Sequence, residues 1–187
     1  KEIALKLFNT RKKNYIGIKR FFLNGQHFCT NSKPKKKYQH IVSMITSHNN
    51  FLKKKVKYLK KKKKFIVAFQ TRNIPHLGHE LIIKKLLKYC DHVIINPVIG
   101  PKKIGDFKSK ILKLSYEYLS KKYYDNRLSY IPICANMFYA GPREAIHHAL
   151  LRKSIGFTHF IVGRDHAGPE NIYDPGAAFK MLENYKN

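Results

Sequence analysis

The chain has 187 residues, enough for one hydrophobic core or for a domain plus part of another, and a net charge of +27. It contains no apolar run of about eighteen residues, which excludes a membrane-spanning helix, and its opening K-E-I-A-L-K-L-F-N-T is too short in its apolar part for a signal peptide. Cys29, Cys90 and Cys134 stand far apart, so neither a disulfide framework nor a C-x-x-C metal site is expected. A reducing compartment is the simplest reading: the cytoplasm, or an organellar stroma or matrix.

In chain order, residues 1–40 hold short apolar pieces (Ile3–Phe8, Tyr15–Ile18, Phe21–Leu23) between basic turns, with the hairpin signal Asn24-Gly25. They read as short strands. Because the chain begins at Lys1 rather than Met, it is expected to belong to a longer product. Residues 41–64 read as a poorly patterned helix rich in lysine. From Phe65 the signals alternate. Strand Phe65–Phe69 leads through a polar loop to helix His79–Cys90, with Leu81, Ile82, Leu86 and Tyr89 expected inward and Pro75 suited to the helix start. Strand His92–Ile95 leads to N-P-V-I-G-P-K-K-I-G-D. Helix Phe107–Tyr124 follows, with Ile111, Leu112, Leu114, Tyr118 and Leu119 as its apolar face, then strand Arg127–Ile133. Helix Pro142–Ile155 starts on proline and stops before Gly156, a C′ cap. Strand Thr158–Val162 and a last helix, about Gly176 to Tyr185, close the chain. Strands alternating with helices imply βαβ units and a parallel sheet. Ligands bind beyond the carboxyl ends of such strands, so topology predicts one crevice for the loops after Phe69 and after Val162.

The stretch Phe65–Glu80 carries the chemistry. Strand, polar loop and helix N-terminus in succession make an anion site, where free backbone N–H groups meet the positive end of the helix dipole. Arg72 can grip a phosphate or sulfate with two parallel donors, and Gln70 and Asn73 add neutral ones. His76 and His79, three apart, share one face of the first helical turn and can meet a polyphosphate. A zinc site would need a further ligand nearby, and none stands there. Neither G-x-x-x-x-G-K-[ST] nor G-x-G-x-x-G occurs.

Four blocks, Q-T-R-N-I-P-H-L-G-H from Gln70, Asn96-Pro97-Val98-Ile99-Gly100, Tyr139-Ala140-Gly141-Pro142-Arg143-Glu144-Ala145 and Gly163-Arg164-Asp165-His166-Ala167-Gly168, resemble in order the signatures of the ATP sulfurylase (sulfate adenylyltransferase) family. The loop sequence looks closer to bacterial sulfur-metabolising members. The resemblance implies an α/β fold: a Rossmann-like nucleotidyltransferase domain with a parallel sheet, preceded by the remnant of a small β-rich, PUA-like domain. On that reading residues 1–62 are the end of the first domain plus a basic linker, and 63–187 are the catalytic domain, continuing beyond this chain. It implies the reversible reaction of MgATP with sulfate to adenosine 5′-phosphosulfate and pyrophosphate, by in-line attack without a covalent enzyme intermediate. Carried over, the catalytic residues are Thr71, Arg72, Asn73, His76 and His79. ATP would be bound by Gln70, Arg72, Asn73, His76, His79, Gly163, Arg164, Asp165 and His166, and sulfate by Gln70, Arg72 and Ala167. Magnesium would enter with ATP rather than in a protein cage. A homo-oligomer is expected. Lys102, Lys103, Asp106 and Arg143 are weaker candidates for the site, and His147, His148 and His159 read as structural.

Two alternatives stand beside this reading. Another nucleotidyltransferase with an H-x-G-H loop would share the histidine pair but not Q-T-R-N or G-R-D-H-A-G. A nucleic-acid-binding protein on a decayed enzyme fold would use the lysines, since residues 1–64 hold 20 Lys and Arg against one acid. The aromatic residues form no RNA-reading motif, and like-charge runs are usually solvated faces, so nucleic acid is not expected as a partner.

Overall fold

A computed structural model describes residues 36–99, 107–164, 166–168 and 172–184. The expected strands of residues 1–35 lie outside the described residues, as do Lys102, Lys103, Asp106 and Asp165. The described elements are α1 (Lys36–Lys60), β1 (Ile66–Phe69), α2 (Leu77–Leu86), β2 (His92–Ile95), β3 (Val98–Ile99), α3 (Ser109–Tyr123), β4 (Leu128–Tyr130), β5 (Ile133–Cys134), α4 (Pro142–Ile155), β6 (His159–Ile161) and α5 (Ala177–Glu183). They fall into two compact units. One takes in 45–136 and 152–161; the other takes in 137–151 and the described residues outside these ranges.

The first unit is built on a four-stranded parallel sheet in the order β4-β2-β1-β6. This is the α/β fold with a parallel sheet that the alternating pattern predicts. Every residue of β1 and β2 is buried, because a parallel sheet is covered on both faces and its strands read as unbroken apolar runs. On one face Val67, Phe69, Val93, Ile95 and Leu128 join Ile83, Cys90, Tyr116, Leu119 and Tyr124 in a single core cluster. Alternation along the strands puts Ile66, Ala68 and Ile94, all 0% exposed, on the opposite face.

Asn96, directly after β2, locks the strand ends together. Its N–H donates to the Phe69 carbonyl at 2.8 Å and its side-chain amide donates to the Ile131 carbonyl at 2.7 Å. Its Oδ1 and carbonyl accept from Arg152 Nε and Nη2 at 3.0 and 3.1 Å. Arg152 is wholly buried with its guanidinium over the Phe160 ring, and burial pushes its pKa down to about 9. The Asn of N-P-V-I-G is therefore a structural clamp beside the loop after β1.

Several boundaries differ from the sequence reading. α1 starts at Lys36 rather than 41 and buries a stripe of Leu52, Val56 and Leu59, spaced for one helix face. α2 starts at Leu77 and ends at Leu86, with a turn at 87–89, so Pro75 precedes the N-cap His76 rather than opening the helix. Phe65 lies outside β1 and is 47% exposed. The expected strand Arg127–Ile133 is two strands in two sheets: β4 pairs with β2, and β5 pairs with β3, which the sequence reading left as loop. Pro132 marks the break, as it has no N–H for a ladder. The apolar faces also differ. Leu81, Ile82 and Tyr89 are exposed, and on α3 Ile111, Leu114 and Tyr118 face outward while Leu112, Tyr116, Leu119 and Ser120 are buried. α4 runs from Pro142 to Ile155 as expected. Gly156 ends it at φ +109, its N–H bonding to the Arg152 and Lys153 carbonyls.

Candidate active site

The chain leaves β1 at Phe69 into Gln70–His76, and α2 begins at Leu77. His76 is the N-cap in extended backbone (φ −144°, ψ 170°), and among the described residues no side chain caps the helix start. The free N–H groups of the first turn thus remain available, with the positive end of the helix dipole behind them. Gln70 is half-buried, and its Oε1 is buried with no hydrogen-bond partner among the described residues. Such an orphaned polar atom at a strand end is what a side chain kept for a ligand leaves behind. Arg72, Asn73 and His76 are exposed, while Thr71 and His79 are buried.

Spacing places the two histidines on one face, and there their rings stack at 3.9 Å between centroids. Gly78 makes room for this, since a Cβ there would stand 3.1 Å from Cε1 of His76. The histidines differ in exposure and partners. His76 lies open. The ring of His79 packs edge-on against Phe69 at 5.5 Å; its Nε2 lies 3.2 Å from Thr71 Oγ1 and its Nδ1 3.3 Å from the Tyr116 hydroxyl. Burial first, and then the neighbouring His76, lower the pKa of His79. Thr71 Oγ1 also accepts the Asn73 N–H at 3.1 Å, a local turn that shapes the loop. The loop offers one guanidinium, amides and imidazole, a donor set for an anion. No group of three His, Cys, Asp or Glu able to hold a metal ion stands among the described residues.

The second unit carries the blocks around Gly141 and His166. Glu144 is buried and accepts two backbone N–H groups, Phe138 at 2.8 Å and Ala140 at 2.9 Å. His148, also buried, places Nε2 3.4 Å from Glu144 and Nδ1 3.0 Å from Nε2 of His166. Gly141 donates its N–H to the Ala167 carbonyl at 3.2 Å, tying the two blocks together. Tyr139 and Ala167 are left-handed at φ 58 and 56, and Gly141 at φ 54. Gly163 has no positive φ, and among the described residues nothing stands where its Cβ would go; Ala167, in the same loop, is left-handed. Gly163 and Arg164 are exposed, and so are Arg143, His147 and His159. Sequence reasoning passed over Tyr116 and Glu144. Tyr116 stands on α3, far in sequence from the loop it meets, and Glu144 holds backbone groups that no side-chain pattern reveals.

A parallel α/β sheet whose strand-end loop leads into a stacked H-x-G-H pair has the fold of a Rossmann-like nucleotidyltransferase domain. The ATP-sulfurylase family model matches residues 43–187, and the chain belongs to that family. It is 40% identical over 191 residues to the sulfate adenylyltransferase of Pyrococcus abyssi, covering 98% of this chain and 48% of the relative. To that of Thermococcus onnurineus it is 39% identical over 192 residues, covering 99% and 49%. To that of Hyperthermus butylicus it is 47% identical over 123 residues, covering 65% and 32%. The chain spans about half the length of the first two relatives. All three are archaeal, which corrects the leaning toward bacterial members: a short motif reports the chemistry of a site rather than a lineage.

Proposed function

We propose that this chain carries the adenylyl-transfer site of a sulfate adenylyltransferase. The observation that carries this is the loop Gln70–His79, whose donors gather at an uncapped helix start in a chain of the ATP-sulfurylase family. A sulfate oxygen attacks the α-phosphorus of ATP in line. The bond to the β-phosphate oxygen breaks, and pyrophosphate leaves. No side chain becomes covalently attached, so rate comes from positioning and charge stabilisation. Two anions must be held together against their repulsion. Arg72, Gln70 and Asn73 face the sulfate and α-phosphate, His76 meets the departing charge, and Thr71 and His79 support the loop from beneath. Gly163, Arg164, Asp165 and His166 complete ATP binding, and the backbone at Ala167 helps hold sulfate.

Magnesium would arrive with ATP and supply positive charge to its phosphates. The loop's cationic and amide donors suit the phosphates and not a resident cation. Residues 63–187 are the catalytic domain in this reading, with the end of a β-rich domain and a basic linker before it, and the working protein is a homo-oligomer of the cytoplasm or an organellar stroma or matrix.

The test is ATP formation from adenosine 5′-phosphosulfate and pyrophosphate with magnesium. The chain is expected to make ATP, and Arg72→Ala to lose about 3 kcal/mol of transition-state stabilisation, typical of a lost preorganised donor. Its melting temperature should hold, because Arg72 is exposed. Near-normal turnover by Arg72→Ala would overturn the assignment of the site.

A further inference from the structure

Four groups of the loop and of α3 close a hydrogen-bond circuit. The Asn73 N–H donates to Thr71 Oγ1 at 3.1 Å, and Thr71 Oγ1 stands 3.2 Å from His79 Nε2. His79 Nδ1 stands 3.3 Å from the Tyr116 hydroxyl, which donates to the Asn73 carbonyl at 3.3 Å. The circuit begins and ends on one residue. A backbone N–H can only donate and a carbonyl can only accept, so its direction is set at both ends. Thr71 accepts from Asn73 and has one proton to pass to Nε2. Tyr116 gives its proton to the carbonyl and must accept from Nδ1. Both ends call for a proton on Nδ1; of the two rings that carry one, the neutral ring takes the Thr71 proton at Nε2, whereas a cationic ring would send it to Tyr116, to which Thr71 also hydrogen-bonds. Turning the ring over would put carbon at both contacts and break the circuit twice.

We infer that Thr71 and Tyr116 hold His79 as the neutral Nδ1–H tautomer, and that Tyr116 is a positioning residue for the loop that presents Arg72 and Asn73. The second half of this rests on the adenylyl-transfer reading; the first does not. The groups facing the ring are Phe69, Thr71, His76, Tyr116 and the Ile74 backbone, none of them a carboxylate. Burial first, and then His76, oppose a charge on His79, and they outweigh the Ile74 backbone hydrogen bond, which favours it. A cationic His79 would turn an N–H toward Thr71 and force that hydroxyl to redirect its proton. The positive charge offered to an anion therefore comes from Arg72 and His76. His79 acts as a strut: it sets the stacked ring of His76 and, through Tyr116, the Asn73 carbonyl.

The ring nitrogens of His79 report this directly. In the ligand-free chain with 15N-labelled histidine at pH 7, Nδ1 is expected to show a protonated, pyrrole-type shift and Nε2 an unprotonated, pyridine-type one. Loss of those signals in His79→Gln assigns them. Tyr116→Phe and Thr71→Val should each collapse the pattern toward a tautomer average, and Thr71→Ser, which keeps the hydroxyl, should preserve it. In ATP formation, Tyr116→Phe should lower kcat about tenfold with KM for adenosine 5′-phosphosulfate changed less than about twofold, the signature of lost positioning. Should Tyr116→Phe fail to fold, the Thr71 pair carries the same test from the other end of the ring. Because the shifts are read without substrate, a chain that makes no ATP would overturn the adenylyl-transfer reading and leave the tautomer to be judged on its own. An Nε2–H ring or an imidazolium at pH 7, or wild-type shifts in Tyr116→Phe, would overturn the tautomer, and an unchanged kcat in that variant would overturn the positioning role.

Discussion

Gly141 and Gly163 look alike in sequence, each opening a block of polar residues, yet the backbone asks different things of them. Gly141 sits at φ 54, and a Cβ there would stand 2.5 Å from Cδ2 of Tyr173. Neither the conformation nor the contact admits a side chain without movement. Gly141→Ala is therefore expected to destabilise the protein by about 1–3 kcal/mol. Gly163→Ala has neither constraint and should stay within about 0.5 kcal/mol of wild type. Urea midpoints of the two variants check this; equal midpoints would mean that the Tyr173 contact yields freely. The same contrast shows what a residue string conveys. Gln70, Arg72, Asn73 and His76 are legible as an anion loop because their donors are their own. Glu144, His148 and Arg152 are not, because their roles are set by backbone groups and side chains brought to them only by folding.

Among the elements, strands were easier to read than helix faces. β1 and β2 are buried on both sides, so an apolar run is their full signature. α3 carries two apolar stripes. Ile111, Leu114 and Tyr118 form one; Leu112, Tyr116 and Leu119 form the other and face the sheet. Helical periodicity cannot choose between stripes of similar hydrophobicity, and the sequence reading merged them. The buried stripe contains Tyr116, so the error also hid the hydroxyl that meets His79. β2 supplies a titration of its own. His92 is buried; Lys63 Nζ lies 3.3 Å from its Nδ1, and Ser129 Oγ lies 2.8 Å from its Nε2. Burial first, then Lys63, lower its pKa to about 4. The unfolded chain takes up a proton near pH 6.5, and the folded one does not until about 4. Stability is thus fully present above 6.5 and is lost as pH falls toward 4, by about 3 kcal/mol from this residue. Unfolding free energies from pH 7 to 4 should show the decline, and His92→Gln should flatten it. An identical slope in the variant would place the effect in other groups.

For the whole molecule, charge is unbalanced: 38 Lys and Arg face 11 Asp and Glu. The surface ion pairs among the described residues, Lys113–Glu117 at 3.8 Å and Lys180–Asp174 at 3.5 Å, are exposed and weak. Self-repulsion outweighs them, so raising sodium chloride from roughly 0.05 to 0.5 M should raise the melting temperature by screening like charges. A fall would mean that attractive pairs dominate. The sheet order has a different consequence, one that belongs to synthesis. β1 gains its neighbour β2 within a few dozen residues, but its other edge is closed by β6, and the bond from Ile66 to Thr158 spans 92 positions. At ordinary translation rates that edge waits roughly 5–20 seconds on the ribosome, apolar and unpaired. The lysines from Lys60 to Lys64 emerge immediately before it. They give the nascent strand a charged flank of the kind that discourages pairing between chains, a use of the run separate from the contact that Lys63 makes with His92 of β2 once the sheet has formed.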